Sequence, residues 1–482
     1  MRINNLAVKA LLLSVTSLTN PANAFATTTQ AHNSAYTTRN VQHTASSSVL
    51  YSATASGTEL VPPITNLEPG RTKEIFDSSV QKTYGRYPLT IVRGEGCKLY
   101  DEDGKEYLDF VAGIATCVLG HSHKGLADAV TNQINSLHHV SNLYYIPQQA
   151  ALAKWLCDNS CADKAFFCNS GAESNEGAIK LARRHASNRG ITDPIIIAAK
   201  QSFHGRTLAA LSATGQPKYH KGFGYGGEMV QGFAHVQYND IEELKAMVAE
   251  MSTTPEDLVE QGRKRGVAAI MLEPLQGEGG IIPGKADYFA EARKLCDETG
   301  ALLMCDEVQT GMGRTGDLWA HQGLGVEPDV FTSAKALGGG VPIGALMARG
   351  AAADVFGPGD HASTYGGNPL ACAAGLAVAQ AFTDEKLLEN VNARGAQLHD
   401  GLTALVKKYP TVLGDIRGKG LILGIDSVSC PAGELVGECM KDGLLLVPAG
   451  PNTVRFVPPL IVTEAEVEKA LEMFEKTVST KV

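Results

Sequence analysis

Through the middle of the chain, short apolar runs alternate with stretches of helical period, the pattern of βαβ units around a mostly parallel sheet. Residues 164–168 read as a strand, and 172–186 as a helix with Ile179 and Leu181 on its apolar side. A β-branched strand covers 194–199. Residues 267–272 and 301–305 are continuous apolar runs, as expected of strands buried on both faces, and 330–333 and 343–347 complete the set. After Pro369 the pattern changes. Helices over 371–383 and 385–408 lead to short strands around 421–425, 444–447 and 454–457. A last amphipathic helix over 463–477 begins on Thr463 with Glu466 three residues on, a capping box. The pattern predicts a large central α/β domain (129–368) and a smaller α+β domain drawn from both ends of the body (65–128 and 369–482).

The first 58 residues are different in kind. They contain no Asp or Glu; Arg2 and Lys9 accompany an apolar stretch from Leu6 to Leu18 that is too short to span a bilayer. Ala22-Asn23-Ala24 has the small-x-small form of a signal cleavage site, and a Thr/Ser/Ala-rich run with Arg39 as its only cation follows. A signal followed by an acid-poor segment resembles two-part targeting to a secondary plastid. A mitochondrial presequence is the alternative and secretion ranks third.

Composition narrows the function classes. The 482 residues are 44% hydrophobic and 19% charged with a net charge of −9, and no basic patch or Lys/Arg-rich helix face points to nucleic acid or membrane. Ten cysteines are scattered without a CxxC, which reads as reduced thiols buried as small hydrophobes. The 51 glycines suggest tight turns and close backbone approach to small ligands.

Open parallel sheets bind ligands at the carboxyl ends of their strands, so the residues there carry the candidate chemistry. Cys168-Asn169-Ser170-Gly171-Ala172-Glu173 leaves a strand and opens a helix, where free N–H groups favour an anion such as phosphate, although a plain cap fits the same residues. Asp306 follows the run 301–305, and a buried carboxylate there needs a cation, either a protonated pyridine or an Arg or Lys. Lys335 follows another strand among small residues, and a poorly hydrated lysine becomes a nucleophile toward aldehydes. The segment 414–420 imitates a P-loop but has the wrong glycine spacing. His121-Ser122-His123 lacks the partners of a metal site and fits a capping or core role; no metal is expected.

Taken in order, these segments resemble the class III aminotransferases of fold type I. The likeness is carried by 167–180 (Phe167-Cys168-Asn169-Ser170-Gly171-Ala172-Glu173 onward), Phe203-His204-Gly205-Arg206-Thr207, Glu273-Pro274-Leu275-Gln276-Gly277-Glu278-Gly279-Gly280, Asp306-Glu307-Val308-Gln309-Thr310-Gly311, the Lys335 segment, and Ser363-Thr364-Tyr365-Gly366-Gly367-Asn368-Pro369. It runs from about Leu67 to the C-terminus. Gly113-Ile114-Ala115, Leu119-Gly120-His121-Ser122-His123 and Val454-Arg455-Phe456-Val457-Pro458-Pro459-Leu460 are similar to the branch of the class that acts on acetylornithine in arginine biosynthesis. The departure is Thr116-Cys117-Val118, on the substrate-side wall.

The resemblance implies a mostly parallel seven-stranded sheet and pyridoxal 5'-phosphate as cofactor. Lys335 would form the Schiff base and shuttle the proton, and Asp306 would pair with the pyridine nitrogen. Gln309 would lie near the ring hydroxyl, with Val308 beside it, and Phe203 would stack on the ring. Ser170, Gly171 and Ala172 would hold the phosphate, with Thr364 reaching it from the second subunit of a homodimer. Arg206, aided by Ser363, would take the distal carboxylate of N2-acetylornithine, and Arg455 the carboxylate of 2-oxoglutarate. Glu273 would neutralise Arg455 while the donor is bound. The alternatives are another ω-aminotransferase, for ornithine, 4-aminobutyrate or a diamine, and, from another class, a non-catalytic binding protein on the same fold.

Overall fold

Seven strands form the central sheet of the computed structural model, which describes residues 67, 68 and 70–482. In spatial order they are Lys164–Cys168, Gly344–Ala348, Val330–Ser333, Leu302–Asp306, Arg265–Leu272, Asp193–Ala199 and Phe233–Val236. Gly344–Ala348 runs antiparallel to both neighbours and every other pairing is parallel. The sheet is therefore mostly parallel and seven-stranded, as the resemblance implies. The inner strands are buried along nearly their whole length, which is why they read as unbroken apolar runs. Phe233–Val236 sits at the edge and buries only Val236 fully, so its four residues carry no pattern that marks a strand.

The helix expected over 172–186 spans Gly171–Asn188 and lays Ile179, Leu181 and Ala182 against the sheet. Beyond Pro369 the expected elements stand as Pro369–Asp384, Leu387–Lys408, Ile422–Ser427, Leu444–Leu445 with Val447–Ala449, Thr453–Phe456 and Glu464–Ser479. Thr463 and Glu466 form the capping box. Residues 414–419 of the P-loop lookalike lie within Leu413–Lys419, an edge strand paired with Ile422–Ser427, so this stretch is extended and cannot curl round a phosphate. A further sheet joins Ile91–Glu95, Lys98–Asp101 and Glu106–Asp109 to Leu444–Leu445, uniting residues from far apart in the chain.

His121 Nε2 lies 2.7 Å from Asp109 Oδ2, while His123 caps the helix Lys124–Ser136 and reaches Glu385. All ten cysteines are free thiols. Among the described residues no helix is long and apolar enough to cross a membrane. The expected leader, 1–58, lies outside the described residues.

Register sets up the chemistry. Cys305 pairs with Leu272 and Asp306 with Thr332, so Glu273, one residue past Leu272, stands beside Asp306 at the carboxyl end of the sheet. Asn169 and Lys335 follow strands that end on the same side.

Candidate active site

A cleft of about 420 Å3 opens at these strand ends and is lined by Asn169, Phe203, Arg206, Asp306 and Lys335 among others. A wider hollow of about 580 Å3 lies beside Leu302 and Asp329, at the amino ends of the strands. Its Arg293 is already paired with Asp297 at 2.6 Å and Asp329 at 2.7 Å, so its charge is spent on the fold.

Lys335 begins a short 3-10 turn, Lys335–Gly338, directly after the strand Val330–Ser333. Its φ of 45° lies in the left-handed region, which a non-glycine residue holds only when its surroundings enforce it. Burial pulls its pKa below the ordinary lysine value and the Arg455 charge adds to this, against the raising effect of Glu278, Asp306 and Glu273. The side chain is thus a readily deprotonated amine opening on the cleft.

Asp306 is 4% exposed. Its Oδ2 accepts from Asn175 Nδ2 at 2.8 Å and is 2.7 Å from His204 Nδ1, and its Oδ1 accepts only the Val308 N–H, at 3.0 Å. Oδ1 therefore keeps acceptor capacity. Among the described residues no Arg or Lys forms an ion pair with Asp306, so neither salt bridge considered from the sequence is formed there. Glu307, next in sequence, does different work: it accepts from Thr310, Ala320 and the backbone and ring of His321, and stitches the following loop together.

The phosphate-type cradle is present. Ser170 is the N-cap of an 18-residue helix and its hydroxyl accepts the Glu173 N–H. That leaves the Gly171 and Ala172 N–H groups without an intrahelical acceptor and facing the cleft. Gly171 has no room for a side chain, since a Cβ there would lie 2.5 Å from Val308 Cγ1. Close packing of Val308 on Gly171 brings the helix end to the Asp306 loop. Phe203 lines the same cleft, its ring edge-on to Tyr219. A free anion cradle, a buried acid with a spare oxygen, an aromatic wall and a half-buried lysine fit a phosphorylated pyridine aldehyde.

The two arginines differ sharply. Arg455 is 1% exposed and its Nη1 donates to Glu278 Oε1 at 2.7 Å and Gln309 Oε1 at 3.1 Å. Its Nε is buried without a partner. Arg206 is exposed, lies 4.0 Å over the Tyr219 ring and has no carboxylate partner among the described residues. Ser363 does not line the cleft; its hydroxyl accepts the Gly366 N–H and the Asn169 amide, and Asn169 does line it. Thr364 is exposed and also lies outside the lining.

One expected pairing is corrected. Glu273 does not meet Arg455, because its two oxygens accept the backbone N–H groups of Phe203 (2.9 Å) and Gly277 (3.2 Å). The partner is Glu278, five residues on. A Cβ at Gly277 would come 2.2 Å from Gln309 Oε1, so glycine there permits the approach of the Glu278 turn to Gln309 and Arg455. The sequence reading also missed Asn175, which bridges Asp306 and Thr332, and the His204 contact. Glu278 was legible as the second acid of 273–280. Asn175 gave no signal, for a polar residue within a helix looks like surface.

Burial raises Glu273 from its ordinary 4.5 to about 7, with the Asp306 charge adding to the rise, against the lowering effect of His204 and the two backbone hydrogen bonds. The folded state thus binds a proton that the unfolded chain has released above about pH 4.5. Stability from this group is therefore greatest below 4.5, falls as pH climbs toward 7 and is flat beyond. The full effect is on the order of 3 kcal/mol at about 1.4 kcal/mol per pH unit. Denaturation of wild type and Glu273→Gln at pH 5 and pH 8 checks this: the variant gains on wild type at the higher pH, and a constant gap refutes it.

The comparisons agree with this geometry. The family model described as aminotransferase class-III matches residues 79–478. An acetylornithine aminotransferase of Nostoc sp. is 56% identical over 409 residues, 84% of this chain and 93% of the relative. That of Thermosynechococcus vestitus is 57% identical over 407 residues, 84% and 96%. Among solved structures, ornithine aminotransferase from Toxoplasma gondii superposes with a TM-score of 0.78 at 31% identity, covering 85% of this chain and 94% of that one. N-acetylornithine aminotransferase from Stenotrophomonas maltophilia gives 0.69 at 35%, covering 82% and 97%. With a family match over most of its length and relatives above half identical, the chain belongs to the class III aminotransferases, enzymes that work with pyridoxal phosphate.

Proposed function

We propose that this enzyme transfers the terminal amino group of N2-acetyl-L-ornithine to 2-oxoglutarate, giving N-acetyl-L-glutamate 5-semialdehyde and L-glutamate. The observation that carries the reading is the unequal state of the two arginines. Arg455 is neutralised by Glu278, so a donor whose reacting carbon bears no carboxylate leaves the pair intact. Its distal carboxylate goes to Arg206, which is free to take it. A free α-amine would place a second positive charge near Arg206, whereas an acetamide is neutral. 2-Oxoglutarate reacts beside a carboxylate, which displaces Glu278 and takes Arg455 in a charge-assisted pair.

Bound pyridoxal phosphate supplies the conjugated electron sink that stabilises charge on the reacting carbon. Asp306 offers Oδ1 to the pyridine nitrogen, and Gly171 and Ala172 offer N–H groups to the phosphate. Phe203 covers one face of the site. Lys335 Nζ accepts and returns the proton, helped by a pKa held below the ordinary lysine value by burial. Such positioned proton transfer contributes roughly 10²–10⁴-fold.

A homodimer is part of the reading. Leu143, Tyr144, Tyr145 and Tyr365 are all exposed, and Asn142 ties their two loops by donating to Ser363 O and Gly366 O. Thr364 lies within this apolar patch, where a second copy brings it to the partner's phosphate cradle. Tyr145→Glu should shift sedimentation toward monomer and weaken cofactor retention, and an unchanged dimer speaks against this surface. For the acid-free first 58 residues we infer plastid delivery; a fluorescent fusion of residues 1–64 found in mitochondria would reject it.

The donor panel decides the substrate. With 2-oxoglutarate as acceptor, kcat/KM for acetylornithine should exceed that for ornithine and 4-aminobutyrate at least about tenfold, or about 1.4 kcal/mol. Preference for ornithine would move the enzyme to the wider ω-aminotransferases. Arg206→Ala should lower kcat/KM for acetylornithine roughly 10–100-fold, the worth of a hydrogen bond to a charged group. Glu278→Ala should raise glutamate turnover relative to acetylornithine in half-reactions; an unmoved ratio removes Glu278 from the selection.

A further inference from the structure

At the carboxyl ends of the central strands lie three ionisable groups that transamination, as described, does not use together. Asp306 ends one strand and Glu273 directly follows the adjacent parallel strand, whose last residue, Leu272, pairs with Cys305. Both are buried, at 4% and 6% exposure. Two carboxylates so placed cannot both stay charged without a cation between them. Lys335 faces the cleft, and neither acid is salt-bridged to Lys or Arg among the described residues. The cation that meets them is His204, itself 2% exposed, with Nδ1 2.7 Å from Asp306 Oδ2 and Nε2 without a partner. Burial works against charge on this ring, yet the hydrogen bond and charge of Asp306 help to hold its pKa above the ordinary imidazole value.

We propose that Glu273, His204 and Asp306 act as one charge-sharing unit, in which His204 is a positioning residue that holds Asp306 as the single carboxylate while Glu273 keeps its proton. The backbone supports this division. Phe203 and His204 are consecutive, and Glu273 fixes the first through its N–H as Asp306 fixes the second through its ring. The aromatic wall and the acid are thereby set by one dipeptide. Oδ2 is saturated by His204 and Asn175, which leaves Oδ1 for the cofactor nitrogen. The other titratable groups facing the unit are Lys335 from the cleft, His235 and Tyr238 from the neighbouring edge, and Cys305 behind Asp306; Tyr238 donates to the Glu273 main-chain carbonyl rather than to its carboxyl.

This inference rests on the aminotransferase reading of the same site, and its test involves no substrate. Holoenzyme is held between about pH 3 and about pH 9, which spans the ordinary carboxyl and imidazole values, and cofactor retention is read from absorbance after gel filtration. In His204→Leu the acid limb of retention moves up by about one pH unit, as expected when a carboxylate loses its cationic neighbour. His204→Asn keeps a donor near the Nδ1 position without the charge, and moves the limb in the same direction. Glu273→Gln leaves the limb in place, because the carboxyl it replaces is uncharged there. Wild-type limbs in both His204 variants would reduce His204 to packing and overturn the proposal. A limb that moves down by about one unit in Glu273→Gln would show Glu273 ionised and overturn it equally. If His204→Leu does not fold, His204→Asn decides alone. A failed donor panel leaves these outcomes standing, and the reverse holds.

Discussion

The site depends on placing a carboxylate, Asp306, at the end of a strand buried on both faces. Isolated charge there is strongly unfavourable, so the surroundings must meet it with donors and a cation. The structure does so from three directions. Asn175 comes from the helix that follows the first strand of the sheet, His204 from the loop after another strand, and the Val308 N–H from the loop after Asp306 itself. These contacts tie the helix N-terminus and the Phe203 loop to one point. The anion cradle and the aromatic wall then face the same space as Lys335.

A second constraint links this point to the sheet that bears Arg455. Arg314, fully buried in the loop beyond Asp306, donates to the carbonyls of Leu421 and Pro458. Leu421 precedes Ile422–Ser427 and Pro458 follows Thr453–Phe456, the strands that pair Gly424 with Arg455. The position of Arg455 relative to Asp306 is thus fixed by backbone contacts as well as by Glu278 and Gln309. The wall that carries Arg455 is thus held from two sides.

Much of this was legible in the chain before the structure. The inner strands and the helix after Cys168 fall within two residues of their expected places, because burial on both faces and a clear apolar period leave little ambiguity. The edge strand Phe233–Val236 was not legible, since its exposed side removes the pattern. Lys335 and Asp306 stood out because charge next to a buried run demands a reason. The Glu273 pairing went astray because two acids lie five residues apart in one loop, and only the turn at Gly277 decides which one faces Arg455.

Burial and charge also divide labour among the acids. Glu307, satisfied by backbone and His321, carries the loop. In Glu278 the Arg455 charge and hydrogen bond overcome the cost of burial and hold the carboxyl below its ordinary range. Glu273, with only two backbone donors and Asp306 beside it, is pushed the other way. Two carboxyls of one loop, Glu273 and Glu278, are thus shifted in opposite directions by burial and by the number and kind of donors and charges each meets.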